Sequence, residues 1–120
     1  MTETTTRPPV ITEYIAAMNA FDGDRLLAVF ADDALINDDH REFWGKAAIK
    51  PFLDEEFIAA KVTMEVPRVI AHHGQYIIPA IVDGEYDKTG LPDPLILTNY
   101  ITVEGDRIVT LIIIHNHARA

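Results

Sequence analysis

Apolar positions in the first half of the chain repeat with a helical period, and those in the second half alternate. Tyr14, Ile15, Met18 and Phe21 fall on one side of a helix predicted over residues 10–20, after a Thr-rich segment ending in Pro8-Pro9 that reads as a frayed arm (residues 1–9). "FDGD" breaks this helix. Asp24 is placed to cap a second one carrying Leu26, Leu27, Val29 and Phe30. "ALIN" reads as a short strand flanked by aspartates. Gly45 then precedes "KAAIKPFLDEEFIAA", where Ala48, Ile49, Phe52, Leu53 and Phe57 form an apolar face. Pro51 falls in the first two turns, where a missing N–H costs least.

Past residue 60 the texture changes. "KVTMEVPRVIAHH" alternates around a proline, and "QYIIPAIVDGEY", "PLILTNYITVE" and "RIVTLIIIHNHA" read as three longer strands. "HHGQ" and "EGDR" are tight hairpin turns and "DKTGLPDP" a longer loop. Helices followed by long antiparallel strands make an α+β plan in a single domain over residues 10–120. In "IVTLIIIH" both alternating sets are apolar, Leu111 and Ile113 on one face, Ile112 and Ile114 on the other. An antiparallel sheet normally wets one face. Here one face is expected to cover the helices and the other to meet a second sheet in a twofold homodimer.

The 120 residues suffice for one core. A formal net charge of −9 leaves no basic stripe to release counterions, which argues against nucleic acid and anionic membranes as partners. No cysteine is present, so disulfides, thiolate metal sites and cysteine nucleophiles are excluded. The longest apolar run is far below the roughly 20 residues that span a bilayer, and "MTETTTRPPV" lacks a signal peptide's apolar stretch. A cytoplasmic location is the expectation. Phosphate-binding glycine loops, nucleophile elbows and dinucleotide fingerprints are also missing, so a site without cofactor is expected.

The phrases "YIAAMNAFDGDRLLAVFADDALIND", "GKAAIKPFL" and "YITVEGDRIVTL" make the chain resemble a nuclear transport factor 2-like domain of the SnoaL-like and ketosteroid isomerase-like branch, from Val10 to His115. The resemblance implies three helices against a strongly curved mixed sheet, a cone with a pocket inside. It also implies cofactor-independent proton transfer, of isomerase or cyclase type, on a small apolar carbonyl compound such as a steroid- or polyketide-like ketone. The same fold also carries non-catalytic binding domains, which is the competing reading.

Residue by residue, "YIAAMNA" puts Tyr14 where the isomerase has its oxyanion-donating tyrosine, and "FADDALIND" puts Asp38 at its general base. Thr98 in "ILTNYITV" matches the second oxyanion donor, an aspartic acid in the isomerase. The tyrosine that supports the first donor is replaced by Leu53 or Phe52. Asp38 would draw a proton from carbon, Tyr14 would stabilise the enolate, and His115 or Thr98 would assist. The plainer alternative is that Asp38 and Asp39 only end a strand.

His115 shares a strand face with Leu111 and Ile113, the face that lines the pocket in the resemblance, and His117 continues it. A His-x-His pair in a strand can hold a metal, but no third ligand is evident and no metal site is expected. Met18, Trp44, Phe52, Phe57, Val82, Leu111 and Ile113 are the candidate pocket wall, with Phe43 and Trp44 as a lid at the cone mouth. Asp32, Asp33 and Asp39 read as caps. Epoxide opening in this fold would need two carboxylates around an arginine. Arg41, Arg68 and Arg107 sit near turns or proline breaks, and no such set is expected.

Overall fold

The computed structural model describes residues 2–4 and 7–115, the first three by backbone alone. The first helix, α1 (Pro9–Asn19), starts on Pro9, whose fixed φ suits a first helical turn and whose missing N–H costs nothing there. It buries Ile11, Tyr14, Ile15 and Met18. The second helix, α2 (Gly23–Ala28), is capped not by Asp24 but by Asp22, whose carboxylate accepts the Arg25 backbone N–H at 3.2 Å. Asp24 lies in its first turn.

Phe30, expected in that helix, instead opens a strand, β2 (Phe30–Asp38), because its backbone pairs across to Ile108. A short strand, β3 (Arg41–Trp44), folds back on β2. The third helix, α3 (Lys46–Phe52), contains Pro51 and widens directly after it into a π turn, Leu53–Ile58. There the bonds run five residues back, as in Ala59 N–H to the Asp54 carbonyl. A side chain five positions on therefore returns to the same face, and Phe57 lands edge-on against Phe52, ring centres 5.1 Å apart.

Five further strands follow: β4 (Thr63–Glu65), β5 (Val69–His72), β6 (Gln75–Asp83), β7 (Leu95–Glu104) and β8 (Arg107–His115). Within the segment read as a frayed arm, Thr2–Thr4 pair with Val69–Ala71 as an edge strand that precedes β2, here termed β1. The sheet order is β1-β5-β6-β7-β8-β2-β3, with β4 also on β6. All pairings are antiparallel except β2 with β8, which is parallel. Among the described residues, three helices cover one face of this curved mixed sheet, the α+β plan expected, in a form compatible with a cone.

β6 has no neighbour on its β4/β5 edge between Ile77 and Ile81, and Pro79 sits in that gap, where a central strand can tolerate it. One row of opposed residues crosses the sheet from Asp38 through Ile113 and Asn99 to Ile78. The next row is Ile36, Leu111 and Ile101, all buried. This inner face packs on α1.

Candidate active site

Tyr14 projects from α1 onto the row just described. Its ring meets Phe30 edge-on, centroids 6.3 Å apart, and its hydroxyl donates to Asn99 Oδ1 at 2.7 Å. Asn99 Nδ2 in turn donates to the Leu97 carbonyl at 3.1 Å. Tyr14 is 0% exposed, so no water-sized space adjoins it. Burial, and after it the negative charge of Asp38, pushes the Tyr14 hydroxyl above the usual tyrosine range.

This shift has a sign that can be checked. A group with a raised folded value is fully stabilising below its unfolded value and loses that contribution as pH rises. Stability should therefore fall above pH about 10, where the unfolded chain ionises Tyr14 and the folded chain does not, by about 1.4 kcal/mol per pH unit. Denaturant titrations at pH 9 to 11 should show this slope, and Tyr14→Phe should remove its share.

Thr98 does not join this pair. Strand alternation turns it to the opposite face, where it lies across from Ile114, while its neighbour Asn99 takes the inward position. The one-residue offset is decisive because successive strand side chains point to opposite faces. Asn99 was readable in principle: it shares parity with Leu97 and Ile101, the apolar set of its strand.

Asp38 ends β2 at the inner row and is 7% exposed. Its Oδ1 lies 3.1 Å from His115 Nε2, which comes from the end of β8, and its Oδ2 accepts from Arg41 Nη2 at 2.6 Å. Arg41 also donates from both terminal nitrogens to Glu56, at 2.9 and 2.7 Å. An arginine between two carboxylates is thus present, contrary to expectation. Its second acid comes from the π turn rather than from any pattern near Asp38. Glu56 and then Asp38 raise the guanidinium above even its ordinary high range.

Most of the residues expected as an apolar wall are buried. Phe52 stacks on Phe43 with centroids 4.3 Å apart and planes at 25°, and Phe57 closes the cluster. The Arg41 guanidinium lies 5.7 Å from the Phe43 ring centre and 5.6 Å from that of Phe52. Met18, Leu111 and Ile113 are buried on the inner face, and Val82 is buried opposite Met64 at the far end of β6.

Trp44 is the exception. It pairs with Leu35 on the outer face, is 63% exposed, and gives its indole N–H to Glu42 at 3.1 Å. Phe43, opposite Ile36, takes the inward place. His117 lies outside the described residues. His72 and His73 meet edge-on beside the β5–β6 turn.

A carboxylate, an imidazole and a guanidinium therefore meet at the rim of an apolar interior, above a sealed tyrosine–asparagine pair. Such a set can move a proton and hold a polar atom of a small apolar molecule. The model of the SnoaL-like domain family matches residues 11–111. The chain belongs to the SnoaL-like family.

Solved structures agree on the fold of this SnoaL-like protein. A candidate polyketide cyclase from Sinorhizobium meliloti is 26% identical, with a TM-score of 0.79 over 90% of this chain and 95% of that one. A Catenulispora acidiphila protein with a ketosteroid isomerase-like fold, in complex with trimethylamine, is 19% identical, with a TM-score of 0.77 over 92% and 87%. A Mycobacterium tuberculosis protein in complex with estradiol-17β-hemisuccinate is 17% identical, with a TM-score of 0.75 over 89% and 91%. None of the curated proteins compared matches the chain. Among the described residues, no helix is long and apolar enough to cross a membrane.

Proposed function

We propose that this SnoaL-like protein is a cofactor-independent enzyme that moves a proton on a small, apolar, carbonyl-bearing compound, in the manner of an isomerase or cyclase. The observation that carries the reading is the Asp38–His115 contact at 3.1 Å, nine-tenths buried at Asp38, with Ile113 opposite Asp38 on the neighbouring strand. A carboxylate hydrogen-bonded to an imidazole is an acid–base couple whose proton can be taken from carbon and returned to a neighbouring atom. The Tyr14–Asn99 pair forms the floor, and Tyr14 meets a substrate oxygen only when that pair opens. Proteins of the same fold in complex with estradiol-17β-hemisuccinate or binding canthaxanthin support a small, largely apolar ligand.

A second reading, a binding domain without catalysis, is favoured by Arg41, which pins Asp38 Oδ2 at 2.6 Å and so ties up the proposed base. Incubation in deuterated water with enones, polyketide-like ketones and epoxides separates the readings. Deuterium entering the carbon beside a ketone supports the enzyme, and tight binding without exchange leaves the binding domain. Turnover of an epoxide but of no ketone would replace the proton-from-carbon chemistry, since a guanidinium between two carboxylates suits that reaction.

The outer sheet face supports a homodimer as the working form. A groove of about 440 Å³ there is bordered by Ile77, Tyr100, Thr102, Ile112 and Ile114, with Tyr100 and Ile114 exposed. Sedimentation at micromolar concentration should give twice the chain mass, and Ile114→Glu should give the monomer. A monomeric wild type would sink the dimer.

A further inference from the structure

Glu56 was invisible to sequence patterns, yet it grips the cation that reaches Asp38. Its two oxygens accept from Arg41 Nη1 at 2.9 Å and Nη2 at 2.7 Å, so the guanidinium presents its fork to Glu56. Only Nη2 reaches over to Asp38, and only to Oδ2. Oδ1 remains with His115.

An arginine next to a carboxylate prefers the two-bond fork, which draws in both oxygens. Arg41 stands three residues from Asp38 across the turn from β2 to β3, near enough to adopt that geometry if nothing else held it. Both Asp38 oxygens would then face the guanidinium, and His115 would have to share Oδ1 with it, which weakens and tilts the imidazole contact.

We propose that Glu56 is a positioning residue: by occupying Arg41's fork it limits Arg41 to one Asp38 oxygen and reserves the other for His115. This rests on the reading of Asp38 and His115 as the acid–base couple and supplies the device that keeps them together. The charged and titratable groups around Asp38 are then accounted for by element. Arg41 comes from β3 and His115 from β8; Tyr14, a neutral hydroxyl on α1, feels the charge of Asp38, and Glu56 stands behind Arg41 on the π turn. Side-chain exposures of 50% for Arg41 and 40% for Glu56 make their pair a weak contributor to stability, so its loss should leave the fold intact.

The test is the tautomer of the His115 ring, read by long-range nitrogen–proton correlation on the full chain with labelled histidine, at a pH where the ring is neutral. A carboxylate only accepts, so the Asp38 contact holds the hydrogen on Nε2 in the wild type. Glu56→Ala should convert this single form to a mixture. Adding Arg41→Gln to that variant should restore it, because no fork remains to capture Asp38.

An unchanged ring in Glu56→Ala overturns the proposal. So does a double variant that stays mixed, since Glu56 would then act only as structural support. The measurement needs no turnover. If no ketone reacts, the proton-transfer reading falls while this result stands or fails by itself.

Discussion

Asp38→Asn lowers kcat/KM on any ketone the protein turns over by about a hundredfold or more, the range that a positioned acid–base group contributes. The amide is close to the carboxylate in shape, and its oxygen can still accept from Arg41, so far-UV circular dichroism should not change. What changes is the atom facing His115. In place of an oxygen that accepts at 3.1 Å, the amide presents either a weaker carbonyl or an NH₂ group that repels an Nε2–H. The steady-state rate and the entry of deuterium into recovered substrate should fall together. A variant retaining more than a third of wild-type kcat/KM would remove Asp38 from the chemistry.

Asn99→Leu is the second large effect, on stability. It takes away the acceptor of a hydroxyl that is wholly buried and bonded at 2.7 Å. An unsatisfied buried donor costs about 1–3 kcal/mol, and the carbonyl of Leu97 loses its side-chain partner as well. A midpoint fall of several degrees is expected in thermal unfolding. Tyr14→Phe added to Asn99→Leu should recover part of the loss, because it removes the orphaned hydroxyl rather than a working bond. Two single substitutions whose costs simply add would show that the hydroxyl and the amide are not coupled.

The fold was legible because its signals are periodic. Helical spacing of Tyr14, Ile15 and Met18 gave α1, and double-faced apolarity in residues 107–115 gave β8 with Leu111 and Ile113 inward. The placement of candidate side chains was legible where a residue ends a long strand: Asp38 and His115 both lie on the inner face, and there they meet. It was misread where one position decides the face. Thr98 and Asn99, and likewise Trp44 and Phe43, are adjacent pairs in which the inward member was mistaken, since strand parity flips with each residue.

Arg41 and Glu56 could not be paired by pattern at all. Fifteen residues separate them, and the π turn that carries Glu56 to the rim breaks the helical period by which a reader would have placed it.

The parallel joining of β2 to β8 bears on how the molecule comes to be. Asp38 and His115 are separated by 77 positions, and the strand that receives β2 is the last one described. Local pieces, α1 with α2 and the hairpins β6–β7 and β7–β8, have their partners close at hand. β2 must wait for the far end of the chain, and closures of that span are the slow step in assembly. On a ribosome, the acid would emerge long before its imidazole, and the Asp38–His115 contact would form only once β8 has been made.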